Sequence, residues 1–264
     1  MNIPEWNYAH DYYKENSVYI KEMMKISDGI TTSTETLKKI YSEFNKNIVV
    51  IPNHLPKFLW GNTCSVTDLD GFLKRKRPRI LYAGSENHFA TKQLIKKGIK
   101  GGDFGQKLIH FIRKTINDYQ WVICGGFPSE LDDLKNNGIE YHGWTDILHY
   151  PAFLKSLEMD ICIAPLMSGV FNDSKSNIKM LEFTAIGCPG VYSKAEPYKD
   201  AYLVSETEDE FISNIERLVE DVDLRKLTFE KDYATIKDQL YWEDNNNIRK
   251  YIEAYLSLFG KRLE

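Results

Sequence analysis

Hydrophobic residues come in short solid runs over the central part of the chain. RILYAG (79–84), QWVICGG (120–126), IEYHGW (139–144), DICIAPL (160–166) and PGVYS (189–193) are separated by stretches of helical spacing near 104–117 and 147–157 and by FNDSKSNIKMLEFTAIGCPG (171–190). Runs apolar on both faces that alternate with helical patterns predict a parallel sheet with helices on both sides. Upstream, the pattern predicts a polar-faced helix over 9–27, a short strand at 29–32, a helix to about 45 and a strand at 47–52; Thr32-Ser33-Thr34-Glu35 has capping-box spacing. Downstream, 208–219, 222–236 and 242–259 read as helices. The fold class is α/β, a Rossmann-like parallel sheet preceded by a small partial α/β unit.

Sheets of this kind bind ligands outside the carboxyl ends of their strands. Those ends are Gly84-Ser85, Gly125-Gly126-Phe127, Gly143-Trp144 and Pro165-Leu166. The fourth leads into the 171–190 stretch, which reads as a helix opened by Ser174, Lys175, Ser176 and Asn177. A helix start offers unpaired N–H groups and partial positive charge, a ready site for a pyrophosphate. Lys175, Lys179 and Glu182 have the i, i+4, i+7 spacing of one helix face. Glu182 would then sit about 10 Å beyond Lys175, at 1.5 Å per residue, where a carboxylate could accept ribose hydroxyls. Two plainer readings stay open. Serine at a helix start is commonly an N-cap, and Lys179 with Glu182 could be a surface i, i+3 pair.

Composition narrows the classes. The 264 residues are 42% hydrophobic and 27% charged, which argues against disorder, and a net charge of −4 gives no general field for nucleic acid or anionic lipid. Four cysteines without a CxxC pair read as buried thiols in a reducing cytoplasm. The opening MNIPEWNYAHDYYKEN is too polar for a signal peptide, and the longest apolar run, ICIAPLM (161–167), is too short to span a bilayer. No GxGxxG follows a strand, and there is no Walker A or HExxH. Asp68-Leu69-Asp70 and Asp221-Val222-Asp223 match the DxD pattern at the frequency expected by chance, and the second reads as an N-cap region. His88 and the basic run Lys74-Arg75-Lys76-Arg77 read as solvated loop residues.

In their order, these segments resemble group-1 glycosyltransferases of the family-four type, which have the GT-B fold. DGITTST…LKKIY…NIVVIPNH resembles the end of the acceptor domain and its crossing, RILYAG the first donor-domain strand, and FNDSKSNIKMLEFTAIGCPGVYS the region of two spaced glutamates followed by a Gly-x-Pro. The resemblance implies a partial acceptor-side domain (1–60), a linker (61–77), a donor-binding domain (78–240) and a C-terminal helix folding back on the N-terminal part (241–264). It implies a retaining, metal-independent hexosyltransferase, cytoplasmic, with no cofactor and with a UDP-, GDP- or ADP-sugar as donor. Glu182 matches the second glutamate, expected on the ribose; Ser174 stands where the first glutamate is usual, with Asp173 beside it as a substitute. Lys175 and Glu182 are the donor-side catalytic candidates. Ser176, Asn177, Ile178 and Lys179 fall at the donor phosphates and sugar, Gly84 and Ser85 at the diphosphate, and Gly126, Phe127, Gly143 and Trp144 beside the nucleobase; Pro165 belongs to the fourth strand end. The acceptor stays open among a glycan, a lipid-linked sugar, a protein and a modified base in nucleic acid. With only about 60 residues before the linker, a partner chain or a second copy could complete the acceptor side. A nucleotide-sugar-binding module inactive on its own is the alternative function, and an α/β oxidoreductase or epimerase a weaker one.

Overall fold

Two parallel ladders of unequal size organise the computed structural model, which describes residues 11–61, 75–85, 88–89, 102–167, 169–244 and 246–261. The opening MNIPEWNYAH, Cys64, Asp68-Leu69-Asp70, Lys74 and most of the expected 61–77 linker lie outside the described residues.

The small ladder comes first. Helix α1 (Asp11–Ile26) leads into β1 (Ile30–Thr32), α2 (Glu35–Tyr41), β2 (Ile48–Val50) and α3 (Lys57–Trp60). β1 and β2 pair in parallel, Ile30 opposite Ile48 and Thr32 opposite Val50. The expected capping box does not form. Thr32 is held in the ladder, so the cap is Thr34, whose hydroxyl accepts from Leu37 N at 3.2 Å. Glu35 is then the first helical residue, too early to reach back to its cap.

The large ladder has six parallel strands: β3 (Arg79–Gly84), β4 (Gln120–Gly125), β5 (Glu140–His142), β6 (Ile161–Ala164), β7 (Gly190–Ser193) and β8 (Val204–Ser205). Their spatial order is β5-β4-β3-β6-β7-β8. The five strands expected from the apolar runs are present; β3 spans its whole run and the other four are a little shorter than theirs. β8 is the addition, and at two residues it has no pattern to read. Side chains alternate across the sheet into two cores. Leu81, Ala83, Val122, Cys124, Cys162 and Ala164 face one way. Ile80, Tyr82, Trp121, Ile123, Ile161 and Ile163 face the other. Both faces are covered, which is why the strands read as solid hydrophobic runs.

Helices α4 (Gln106–Lys114), α5 (Tyr150–Ser156), α6 (Val170–Asp173) and α7 (Ile178–Ala185) connect the strands; α8 (Glu208–Glu220), α9 (Val222–Ile236) and α10 (Asn247–Ser257) follow. Leu108 and Ile112 of α4 and Phe211, Ile215 and Leu218 of α8 fill the second core; Met180, Leu181 and Phe183 of α7 fill the first. Asp221 ends α8 and caps α9 through Leu224 N (2.9 Å), the N-cap role its position suggested.

Two expectations change. The last helix begins at Asn247 rather than near 242, because extended pairing uses the backbone before it: Leu55 N donates to Leu240 O and Trp242 N to Leu55 O. And the basic run is not all solvated: Arg75 lies 3.4 Å from the buried Asp160, and Arg77 donates to Ile116 O at 2.6 Å. Asn47 Nδ2 reaches Leu258 O beyond the end of α10, at 2.8 Å.

Candidate functional site

Strand order reverses between β3, which pairs with β4 on one side, and β6 on the other. A crevice at such a switch point, outside the carboxyl ends, is where open α/β sheets take ligands. Here it lies beyond Gly84 and Ala164.

Three loop ends meet on one side of it. Gly126 N donates to Gly84 O (2.7 Å), and Gly125 has φ +90°, a conformation natural to glycine. A Cβ on Gly125 would stand 2.4 Å from Gly84 O and 3.7 Å from the Trp144 ring. Trp144 is 75% exposed. Phe127 is half-buried, edge-on to Tyr141 (5.3 Å), and the Lys135 ammonium lies 3.9 Å above the Tyr141 ring. Ser85 follows β3 and is half-buried, as Gly84 is, while Gly143 is exposed and Pro165 buried.

On the other side is the 169–185 segment, and it differs from the expected single helix. A short turn, α6, ends at Asp173, and the longer helix, α7, starts only at Ile178. Lys175 therefore precedes the helix and does not stack with Lys179 and Glu182 on one face. Its ammonium sits 5.1 Å over the Phe171 ring, and burial lowers its pKa against the opposing pull of Asp103. The Ser174 hydroxyl donates back to Val170 O (2.6 Å), and its carbonyl accepts from Thr34 of the small ladder's α2 cap (3.0 Å). Asp173 accepts from Glu196 N at 3.2 Å. Ser176 Oγ accepts from Asn53 Nδ2 at 2.6 Å. Asn177 is the N-cap of α7 but makes no side-chain cap bond; its amide is paired with that of Gln239. Ile178 packs against the first core. Lys179 and Glu182 do form an i, i+3 pair at 2.7 Å, although not a surface one: their side chains are 22% and 12% exposed. Glu182 also faces Tyr150, whose phenol is pushed well above its ordinary pKa by burial and then by that carboxylate.

Asp103 is among the residues that escaped sequence reasoning. Its side chain, which is 5% exposed, accepts from Met167 N (2.9 Å), pairs with His88 and lies 3.4 Å from Asn172 Nδ2, so it fastens the loop after β3 to the loop after β6 across the crevice. His88 is thereby engaged rather than solvated. The only hint was an acidic residue set among glycines in GGDFG.

A cavity of about 870 Å³ opens beyond β7 and β8, lined by Thr36, Asp173, Lys194, Glu196, Glu206 and Glu210, and touches the crevice segment at Asp173. Among the described residues no three His, Cys, Asp or Glu side chains gather to hold a metal, and no helix is long and apolar enough to cross a membrane.

No family model matches the chain, and no curated protein matches it in sequence. Solved structures do resemble it. Sucrose-phosphate synthase from Thermosynechococcus elongatus aligns over 97% of this chain and 65% of its own, at 15% identity and a TM-score of 0.63. The catalytic domain of starch synthase IV from Arabidopsis thaliana, solved with ADP and acarbose, aligns over 92% and 58%, at 13% identity and 0.61. HepE from Anabaena, solved with UDP-glucose, aligns over 94% and 68%, at 11% identity and 0.61. The chain thus spans less than two thirds of the length of the first two. What these likenesses establish is architecture: this chain has the GT-B fold of glycosyltransferases.

Proposed function

We propose that the chain binds a nucleotide sugar in the crevice beyond Gly84 and Ala164 and transfers its glycosyl group to an acceptor hydroxyl. The observation that carries this reading is the half-buried Glu182, next to Lys179 (2.7 Å) one turn inside a helix that starts at the switch point of a GT-B sheet. HepE and starch synthase IV, which share the fold, were solved with UDP-glucose and with ADP. The donor-side groups have complementary tasks. Backbone N–H groups at the start of α7, with Ser176, Lys175 and Lys179, would stabilise charge on the departing diphosphate. Glu182 would accept ribose hydroxyls, giving up part of its contact with Lys179. Asp173 and the backbone around Ser174 and Ile178 would border the sugar, and Trp144, with Gly126, Phe127 and Gly143, the base. By the same resemblance the transfer is retaining and metal-independent.

UDP, ADP and GDP titrated calorimetrically into the chain test the donor reading. One of them should bind, and Glu182→Ala should weaken it about tenfold or more, the size of a hydrogen bond to a charged group. Undiminished affinity would remove Glu182 from the site. Product anomer by NMR, and turnover in a chelator, test the mechanism. A second reading is a binding module without transferase activity alone. Slow release of nucleoside diphosphate from the donor in water supports the enzyme; tight binding without release supports the module.

A further inference from the structure

The start of α7 is not an isolated cap. Two segments that cross between the small ladder and the donor-side sheet meet there, 51–55 and 239–242. Leu55 N donates to Leu240 O and Trp242 N to Leu55 O, so the segments are laced to each other. Side chains then lace both to the helix start. Gln239 Nε2 donates to Asn53 O (3.1 Å) and to Asn177 Oδ1 (3.2 Å), and Asn177 Nδ2 donates back to Gln239 Oε1 (3.1 Å). Asn53 Nδ2 donates to Ser176 Oγ (2.6 Å).

The chemistry of these bonds has a direction. Asparagine at an N-cap ordinarily turns its side-chain oxygen onto the N–H of the second or third helical residue. Asn177 does not, because Gln239 holds both ends of its amide. The donors that such a cap would cover are thereby left for an incoming anion. Ser176 is biased in the same sense. A hydroxyl has one donor and two acceptor positions; with Asn53 supplying an N–H to the oxygen, the remaining proton is free to donate. From this we infer that Gln239 and Asn53 are positioning residues for diphosphate recognition: Gln239 keeps the Asn177 side chain off the helix start, and Asn53 sets Ser176 as a donor. The inference rests on the donor reading above and adds to it that phosphate binding is controlled from the crossing between the two parts of the chain, by residues that need not touch the ligand.

Calorimetry with the full chain tests it, using whichever of UDP, ADP and GDP binds best and the matching nucleoside without phosphates. Gln239→Ala should weaken the diphosphate by about tenfold, the scale of one hydrogen bond to a charged group, and leave the nucleoside unchanged. The loss should disappear in an Asn177→Ala background, where no side chain can close on the helix start. Asn53→Ala should behave likewise, its effect vanishing when Ser176→Ala is already present. Gln239→Met keeps the length of the side chain without its amide and gives the same readout should the alanine variant fail to fold. A general structural role would weaken nucleoside and diphosphate together, and that result overturns the inference. So does a Gln239→Ala chain that binds diphosphate as tightly as the parent, with the donor reading intact. A parent chain that binds none of the three overturns the donor reading, and this inference with it.

Discussion

Gly125 shows how one backbone angle shapes the crevice. Its φ of +90° turns the chain so that Gly126 N meets Gly84 O, and that contact leaves no room for a side chain. Gly125→Ala should cost about 1–3 kcal/mol through the strained conformation. It should also weaken nucleotide binding, since the loop it forms borders the proposed site. Scanning calorimetry with and without nucleotide measures both; an unshifted melting temperature would mean the loop relaxes at no cost. The glycine pair was legible in the sequence as a strand-ending loop. Which of the two carries the constraint was not, because that depends on a carbonyl of β3. The Lys179–Glu182 pair was legible for a similar local reason, its i, i+3 spacing. Tyr150, Asp103 and Gln239 make their contacts over long sequence separations, and their neighbouring residues record little beyond the glycines flanking Asp103.

At the scale of elements, apolar runs found the strands because both faces of the sheet are covered, and β8 was too short to leave a run. The helix after β6 was misjudged at its start for a physical reason. Ser-Lys-Ser-Asn offers caps at several positions, and the tertiary bonds of Ser176 and Asn177 select Ile178 as the first helical residue. Helix α9 holds another contact across elements. Its Asp232 is buried, accepts from Tyr202 N (2.8 Å) with one oxygen and has no partner for the other. Burial pushes this carboxyl up to about 7, with the Tyr202 bond opposing. The folded chain therefore keeps the proton longer than the unfolded chain. The resulting stabilisation is complete below about pH 4 and is lost as pH rises through about 7. Asp232→Asn retains an acceptor for Tyr202 and should flatten the decline in melting temperature between about pH 5 and about pH 8. If variant and parent decline in parallel, the carboxyl does not titrate in that range.

Across the whole molecule, the crossing segments join a two-stranded ladder to a six-stranded one, and the start of α7 lies at their junction. The order of segments revealed this plan more securely than any single motif did, because a GT-B fold is defined by a sequence of elements and its chemistry is spread over many loop ends. The exposed ring of Trp144 has a practical consequence. Of the four tryptophans among the described residues, Trp60 and Trp121 are sealed in the two cores, so their emission should be blue and insensitive to added ligand, and Trp242 is half-buried against His54 and Tyr251, whereas Trp144 stands in water beside Gly125. A nucleobase stacking on that indole should quench the red edge of the intrinsic fluorescence in proportion to occupancy, and Trp144→Phe should abolish the quench while leaving the calorimetric affinity nearly unchanged. If quenching persists in that variant, the base lies elsewhere; if the parent shows it, the protein carries its own optical gauge for sorting one nucleotide from another.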